Sequence, residues 1–330
     1  MKSPLVSVGI PVYNGERTIR HALDALLAQT HQHLELVISD NASTDRSGEI
    51  CQEYAAKDPR VKYFRNPANV GVYANYRRVV ALATGEYFMW AAIDDVKPPT
   101  VIEACVQAIL KNDRGVMAHG IVLVRTTGGG EIVEYPNAVN AMGDSAAARI
   151  GIFTRGLEHN AMIYGLYRRK ALLQGKLGSH CGQDYLLCLQ MCLLGTVEYV
   201  PRPMIVCRER KAIASSSPMY PAVPVTVSHL FTANKIHRRK CWTVLLLGSY
   251  YLATIGNVPR LERLGAIAAH LAAFVPLYRS RLAKEVLYQL FEPVVWFSVW
   301  TWRLAQRWSI TFRIARRLQS CLIPKADRAN

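Results

Sequence analysis

The first hundred residues alternate between strand-like and helix-like segments, and this alternation restricts the possible folds more than any other feature. Four apolar runs are separated by three segments whose apolar residues recur at helical spacing. The runs are Leu5–Tyr13, Leu34–Asp40, Val61–Asn66 and Glu86–Ile93. The order β-α-β-α-β-α-β predicts an α/β fold with a mainly parallel sheet, helices on both faces and right-handed crossovers.

Polar side chains follow the predicted strands at the points where the strands end. Asp40 closes the second run, Asn66 and Asn69 follow the third, and Asp94 and Asp95 follow the fourth. Ligands bind outside the carboxyl ends of parallel strands, so these residues are predicted to share a ligand-binding edge. Asparagine and aspartate also make turns and helix caps, which explains Asn66 equally well. Two adjacent carboxylates repel each other without a cation or hydrogen-bond donors, so Asp94 and Asp95 favour a binding role.

The segment from about residue 120 to 210 is less regular. Its pattern predicts a hairpin around Gly128–Gly130, a strand over Ala161–Arg169, and a helix over Gly182–Gly195 with Asp184 in its first turn. The helix dipole favours an acid at that position, so Asp184 has a structural explanation beside a catalytic one.

Positive charge is concentrated in the last hundred residues. Residues 231–330 contain 16 Lys and Arg against 4 Asp and Glu, a net charge of +12 out of +16 for the whole chain. Three apolar runs alternate with these charges: Trp242–Ile255, Leu264–Tyr278 and Val294–Trp302. Each is shorter than the ~20 residues of a spanning helix. The pattern predicts helices that lie on an anionic membrane surface, with a solvated basic helical subdomain as the alternative.

The N-terminus and the cysteines predict the compartment. No long apolar signal segment precedes the first strand, and the eight cysteines include no Cys-x-x-Cys pair. We therefore expect reduced, buried thiols in a cytoplasmic protein that is peripheral on the cytosolic face of a membrane.

Several stretches together resemble one known family. They are VSVGIPVYNGERTIRHALDALLAQT, LELVISDNASTDRSGEI, VKYFRNPANVGVYANYRRVVALATGEYF and WAAIDDVKPPTVIEACV. They are similar to the nucleotide-binding half of family 2 glycosyltransferases, which have the GT-A fold. The resemblance is strong over residues 4–115 and fainter to about 210. It implies a GT-A-like domain over 1–217, with a nucleotide-binding half (1–115) and an acceptor half (116–217). A helical, basic extension over 218–330 is predicted to follow.

The resemblance implies a set of residues that bind the nucleotide sugar. Pro11 and Tyr13 match the strand end that lies against the base, with Tyr13 stacked on it. Asp40 matches the acid that accepts a hydrogen bond from the base, and Asn69 is assigned to the same site. The implied base is uracil or thymine.

The resemblance also implies the reacting groups. Asp94 and Asp95 match the acidic motif of the family, with Asp94 on the ribose and Asp95 on Mn²⁺ or Mg²⁺. The family usually has a further acid at the position of Ala92. Asp184 matches the general base, although the family's preceding glutamate is Gln183 here.

The predicted function is a metal-dependent, inverting hexosyltransferase of polysaccharide biosynthesis. It would move a sugar from a UDP- or dTDP-linked donor to a hydroxyl of a glycan or lipid-linked acceptor. A degenerate scaffold in a polysaccharide assembly complex is the alternative, because acids are missing at positions 92 and 183. A nucleotidyltransferase would need a glycine-rich loop with basic residues, and only Gly15 stands in the first loop. Nucleic-acid binding is disfavoured because the basic residues alternate with long apolar runs.

Overall fold

A computed structural model describes residues 3–125, 132–135, 139–157, 160–178, 183–207, 240–256 and 258–277. All of them belong to one compact unit, Met1–Leu277. The predicted domain boundary at residues 217 and 218 and the third apolar run, Val294–Trp302, lie outside the described residues.

The described chain alternates strands and helices in its first half and becomes helical at its end. The strands are β1 (Val6–Val12), β2 (Leu34–Asp40), β3 (Val61–Arg65), β4 (Tyr87–Trp90), β5 (Asp95–Val96), β6 (Gly115–Arg125), β7 (Ile132–Tyr135), β8 (Leu166–Arg168) and β9 (Thr196–Cys207). The helices are α1 (Ile19–Leu27), α2 (Ser47–Lys57), α3 (Val72–Leu82), α4 (Val101–Leu110), α5 (Ala146–Gly156), α6 (Arg169–Leu172), α7 (Gln183–Leu194), α8 (Lys240–Thr254) and α9 (260–277). A 3₁₀ turn covers Asn160–Tyr164.

One sheet joins all the described strands, in the order β3-β2-β1-β4-β8-β6-β9-β5 with β7 paired to β6. The first four strands pair in parallel, as the alternation of strands and helices predicts. The second half of the sheet is mixed, because β8 runs antiparallel to both β4 and β6 while β6 and β9 are parallel. The α/β fold is therefore confirmed, and the predicted hairpin corresponds to the antiparallel pair β6–β7.

The central strands form the core, which explains their continuous apolar sequences. Every residue of β2 and β4 is buried, as is every residue of β1 except the partly exposed Pro11. Strands covered on both faces read as unbroken apolar runs rather than as alternating ones. The helix α1 adds Ile19, Leu23 and Leu26, which lie on one face and are fully buried.

Two predicted strands are shorter in the structure. The fourth ends at Trp90 and not at Ile93, because residues 95 and 96 pair with β9 instead of continuing beside β1. The segment predicted as a strand over 161–169 begins as a 3₁₀ turn, which the bond from the Gly165 N–H to the Met162 carbonyl closes at 2.9 Å. Met162 is buried by this turn, so tertiary packing outweighs the local strand pattern.

The last two described helices pack on the sheet domain. The ring of His270 in α9 lies 6.2 Å from that of Tyr185 in α7, and its Nδ1 is 3.4 Å from the Thr154 hydroxyl in α5. Burial lowers the pKa of His270 to about 4, so this ring is neutral at pH 7. The Lys176 ammonium donates to the Thr254 hydroxyl in α8 at 2.9 Å. The first two apolar runs of the basic region are thus helices, as predicted, and they cover α5 and α7.

Neither of these helices is long and apolar enough to cross a bilayer, and the same holds for every other helix in the described part of the chain. Five cysteines are described with their surroundings, and all five are buried free thiols, in agreement with the prediction: Cys51, Cys105, Cys188, Cys192 and Cys207.

A buried carboxylate ties the amino-terminal ends of the central strands together. Glu35 in β2 accepts hydrogen bonds from the Ser7 hydroxyl (2.5 Å) and from the Thr84 N–H (2.7 Å) and hydroxyl (2.8 Å). Lys62 in β3 pairs with its second oxygen. Burial alone would raise the pKa of Glu35, but these donors outweigh it and lower the pKa from 4.5 to about 2.

We expect Glu35→Gln to lower the free energy of unfolding at pH 7 by ~2–3 kcal/mol, since one pKa unit corresponds to about 1.4 kcal/mol. A depressed carboxyl pKa stabilises the fold above pH 4.5, and this stabilisation disappears as the pH falls towards 2. The difference in free energy of unfolding between the variant and the wild type should therefore be smaller at pH 3 than at pH 7. Urea unfolding at both pH values measures it. Glu86→Gln is the matched control. The Glu86 side chain is exposed, and its 3.7 Å distance from Arg168 is too long for a hydrogen bond. A penalty of equal size at pH 3 would refute the electrostatic explanation.

Candidate active site

The carboxyl ends of the parallel strands meet at one edge of the sheet. Val12 lies opposite Asp40, and Asp40 lies opposite Arg65. The chain leaves β1, β2 and β3 at this common level, whereas β4 ends at Trp90, opposite Gly9 and three residues short of the level of Val12. The candidate residues from four separate sequence motifs are brought to one edge, as the strand order predicts.

Tyr13 stands at this edge with its ring half exposed, at 48% of its full area. The next residue, Asn14, has a left-handed backbone with φ of 50°. Its N–H donates to the Ser43 hydroxyl (3.0 Å), which links the loop after β1 to the loop after β2. Pro11 is partly buried beneath this loop. Tyr13 is therefore available to a flat ligand, whereas Ser43 has the structural role that its turn sequence allows.

Asp40 is held from three directions and has no exposed surface. It accepts from the Ser43 N–H and the Tyr63 hydroxyl, each at 2.8 Å, and it pairs with Arg65. Burial alone raises the pKa of this carboxyl, but the hydrogen bonds and the Arg65 charge outweigh burial, so its pKa lies below the usual value. The guanidinium of Arg65 is 47% exposed. A ligand could therefore reach Asp40 only if the side chain of Arg65 moved.

Asn69 belongs to a network of asparagines that fixes the loops after β2 and β3. Its Oδ1 accepts from the Asn41 amide (2.8 Å) and from the Gly71 N–H (2.9 Å). The Asn66 amide donates to Asn41 at 2.9 Å and also contacts the buried Asn75. Asn66 and Asn41 thus have the structural role that turn chemistry predicts, and Asn69 is the exposed member of the network.

The two adjacent carboxylates have different surroundings. Asp94 is exposed in the turn after β4, whereas Asp95 begins β5, is 6% exposed, and lies opposite Cys207 of β9. Because Asp95 pairs with β9 and Asp94 lies in the turn, one of the two adjacent carboxylates is buried and the other is exposed. The sequence motif alone could not separate them in this way.

A buried ammonium lies beside Asp95, and the sequence analysis missed it. Lys97 is 2% exposed, and its Nζ donates to the Tyr164 carbonyl at 2.7 Å. Burial lowers the pKa of Lys97 to about 8, and the nearby negative charge of Asp95 partly opposes this shift. The charge is therefore present at pH 7, and it offsets part of the repulsion between the acids.

A pair of tyrosines lies among the candidate acids. The hydroxyl of Tyr76 in α3 is 3.3 Å from that of Tyr164 in the 3₁₀ turn. Burial raises the pKa of Tyr76, and three nearby carboxylates raise it further. The three are Asp94, Asp95 and Asp184. The structure therefore brings together the two acids after β4 and the acid of α7, which are about ninety residues apart in sequence. No local pattern marks either tyrosine, so only the fold identifies them.

Asp184 begins α7 and is partly exposed. Its Oδ1 accepts from the Tyr185 N–H at 2.9 Å, which is compatible with the structural role of a first-turn acid. The neighbouring Gln183 accepts from the Gly178 N–H at 2.6 Å, and Arg77 of α3 donates to the carbonyls of residues 177 and 178. Residues 177 and 178 are therefore tied to α3 and to the first residue of α7, and Gln183 makes this contact where the family has glutamate.

The donor set fits a divalent cation that shares its ligands with a substrate. No group of three or more acidic, histidine or cysteine side chains that could hold a metal occurs among the described residues. Mg²⁺ in phosphate-transfer sites commonly uses one or two carboxylates and completes its coordination with phosphate oxygens and water. Asp94 and Asp95 supply such a pair of carboxylates.

The family described as glycosyl transferase family 2 matches residues 7–173, just over half of the chain. The chain therefore belongs to glycosyl transferase family 2.

Curated relatives agree with this membership over part of their length. The glycosyltransferase GlyG of Streptococcus pneumoniae serotype 4 is 31% identical over 115 residues, which is 35% of this chain and 38% of GlyG. An uncharacterized glycosyltransferase of Haemophilus influenzae is 26% identical over 215 residues, 61% of this chain and 64% of the relative. The chain spans only about a third to a half of the first curated relatives it matches.

Solved structures share the fold. The crystal structure of S. aureus TarS 1–349 in complex with UDP-GlcNAc superposes with a TM-score of 0.56 at 17% identity. The match covers 83% of this chain and 74% of that one. The GT-A-like fold expected from the sequence is confirmed.

Proposed function

We propose that this chain is an inverting glycosyltransferase that moves a sugar from a nucleoside-diphosphate sugar to a hydroxyl of a glycan or lipid-linked acceptor. The observation that carries the proposal is the gathering of Asp94, Asp95 and Asp184 around Tyr76. A single displacement needs groups that hold the departing diphosphate and one base for the incoming hydroxyl. Family membership supports the class of reaction, and a uridine donor is favoured because a protein of the same fold, TarS, is crystallised with UDP-GlcNAc.

Asp184 is the proposed general base. It takes the proton of the acceptor hydroxyl while the acceptor oxygen attacks the anomeric carbon from the side opposite the diphosphate. The bond to the diphosphate breaks, and the configuration at this carbon inverts. Gln183 and Arg77 hold residues 177 and 178 close to the start of this helix.

The edge formed by β1, β2 and β3 is the proposed nucleotide site. Tyr13 stacks on the base beside Pro11, Asp40 accepts a hydrogen bond from a base N–H, and Asn69 lies on the exposed side of the site. Because Arg65 covers Asp40, we expect the base to enter as Arg65 swings aside.

Asp94 is proposed to bind the ribose, and Asp95 to hold Mn²⁺ or Mg²⁺ together with the diphosphate. When bound, such an ion neutralises the negative charge that develops on the leaving group. The chain's own contribution is orientation, since the antiparallel pairing with β9 holds Asp95 and the Lys97 ammonium lies beside it.

Stabilisation by nucleotide sugars tests the proposed function. A ligand at 100 times its Kd stabilises the folded state by ~2.7 kcal/mol, which a thermal-shift measurement detects. We expect at least one UDP- or dTDP-linked sugar to raise Tm in the presence of Mn²⁺, and NMR of the product to show an inverted anomeric carbon. A panel of donors that leaves Tm unchanged, with and without Mn²⁺, would contradict the proposal.

The alternative is a degenerate member of the family that acts as a scaffold in a polysaccharide assembly complex. Ala92 and Gln183 stand where the family has acids, and the Lys97 ammonium lies where it competes with a metal for Asp95. This alternative predicts nucleotide binding without turnover, so sugar transfer by the purified chain would exclude it.

We also propose a peripheral contact with the cytosolic face of an anionic membrane. The inner face of α9 is buried, and its outer face is apolar from Leu264 onward. The exposed large apolar residues on this outer face are Leu261, Leu264, Leu271 and Val275. A helix that is apolar all round is ordinarily covered on all sides. The excess of basic residues in the last hundred positions supports an anionic lipid surface as the cover.

We expect the full chain to sediment with vesicles that contain phosphatidylserine. High salt should release it only partly, because it screens the basic residues but not the apolar contact. The variant Leu264→Gln/Leu271→Gln should bind less, while Leu110→Gln in α4, which removes a comparably exposed leucine, should bind as wild type does. Complete release by salt alone would refute the apolar contact. Resistance to carbonate with protease protection on both sides would instead indicate a spanning segment.

A further inference from the structure

The backbone of each tyrosine in the pair near the three acids is held by a buried side chain. The Tyr76 carbonyl accepts from the indole N–H of Trp90 at 3.3 Å, and the two rings lie 6.4 Å apart. The Tyr164 carbonyl accepts from the Lys97 ammonium, which lies 5.7 Å from the centre of the Tyr164 ring. Trp90 and Lys97 are both buried, whereas the two tyrosines are partly exposed. The backbones that carry the two phenols are therefore held by buried side chains, while each tyrosine keeps part of its surface exposed.

The two neutral phenols have two O–H donors, and the hydrogen bond between them uses only one. Burial raises the pKa of Tyr164 well above the usual value, and burial and the nearby carboxylates raise that of Tyr76. Both phenols are therefore neutral at pH 7. One O–H donates to the other oxygen across 3.3 Å, and the second O–H can donate to a further acceptor.

The location of the pair identifies the acceptor. Asp94, Asp95 and Asp184 all lie near enough to Tyr76 to raise its pKa. In the proposed function the first two serve the diphosphate and the third serves the incoming hydroxyl, so the sugar that is transferred lies near the same pair. Its ring carries hydroxyl groups that both accept and donate hydrogen bonds.

We propose that Tyr76 and Tyr164 together bind a hydroxyl group of the transferred sugar and so select the donor. This inference rests on the proposed function and adds a determinant of sugar specificity to it. A hydroxyl at the right ring position accepts from the free phenol O–H, while a donor without that hydroxyl leaves the O–H unpaired. A donor that lacks the hydroxyl therefore binds more weakly, by about the value of one neutral hydrogen bond.

The test compares the binding of UDP with that of UDP-glucose, UDP-galactose and UDP-GlcNAc by calorimetry in Mn²⁺. We expect Tyr76→Phe and Tyr164→Phe each to weaken binding of the preferred UDP-sugar by about 3- to 10-fold, the range for one neutral hydrogen bond. The affinity for UDP itself should stay unchanged. The double variant should lose little more than either single one, because the two hydroxyls act as a unit. Tyr54→Phe is the matched control. It removes a hydroxyl of α2 that donates to Asp24 of α1 at 2.6 Å.

A second measurement needs no substitution. The wild-type chain should lose a similar factor with one member of a series of UDP-sugars that each lack a single hydroxyl. Equal weakening of UDP and UDP-sugar by the variants, or equal binding of every deoxy donor, would overturn the inference while the proposed function stands. A wild-type chain that binds no UDP-sugar would overturn this inference, and one that binds neither UDP- nor dTDP-linked sugars would overturn the proposed function as well.

Discussion

We expect Asp184→Asn to lower kcat by ~10²–10⁴-fold, the usual contribution of a general base. Asparagine has the same shape and can still accept the Tyr185 N–H, so the first turn of α7 keeps its local hydrogen bond. The substitution removes the negative charge and with it the ability to take a proton. Affinity for the donor should change little, because the side chain is proposed to act on the acceptor. Initial rates at saturating donor, together with donor Kd values, separate the two effects.

The control for this experiment is Asp144→Asn. Asp144 is fully exposed and 3.6 Å from Arg114, away from the acidic cluster. If Asp184→Asn retained most of the wild-type kcat, Asp184 would be a helix-capping acid and another group would have to serve as base. An equal fall in Tm and activity would point to structural damage instead.

The substitution Asp95→Asn is expected to remove the dependence of UDP affinity on Mn²⁺. The carboxylate is the proposed protein ligand of the ion, and no third acid stands at Ala92 to replace it. Asp94→Asn should weaken the binding of UDP by ~1.5–3 kcal/mol, the value of a charged hydrogen bond. Its dependence on Mn²⁺ should remain. Titrations of UDP with Mn²⁺ and with EDTA distinguish the two outcomes.

Asp95 also affects the fold, because Lys97 lies beside it in the interior. Asn keeps the volume, but the buried ammonium loses a nearby negative charge, so Tm must be measured beside affinity. Equal UDP affinity in Mn²⁺ and EDTA for the wild-type chain would remove Asp95 from the metal site altogether.

The first half of the fold could be predicted from sequence because its signals are local. Apolar runs bounded by polar turns predict β1, β2 and β3 closely, and helical spacing predicts α1, α2 and α3. The prediction was poorer where long-range pairing determines the structure. The fourth strand ends three residues early because β9, more than one hundred residues later, pairs with residues 95 and 96. The 3₁₀ turn at Asn160–Tyr164 replaces part of a predicted strand for the same kind of reason.

For the candidate site, the sequence identified acids but not their surroundings. Asp94, Asp95 and Asp184 were found from motif and resemblance, and their roles remain predictions. The cover that Arg65 forms over Asp40 was not visible, because an exposed arginine at a strand end has no distinctive local pattern. Lys97 was not visible either, since lysine is ordinarily solvent-exposed and only the fold reveals its burial.

The sequence by itself determined the class of fold, the edge of the sheet where polar groups collect, and the family. These depend on periodicity and on the ends of neighbouring strands, which are properties of short segments. Only the tertiary structure decided that Asp95 is buried while Asp94 is exposed, and that Tyr76 and Tyr164 meet near the acids. Those facts depend on contacts between α3, the 3₁₀ turn, β9 and α7, which are distant in the chain. The environment of a side chain is set by such contacts, and no local pattern encodes it.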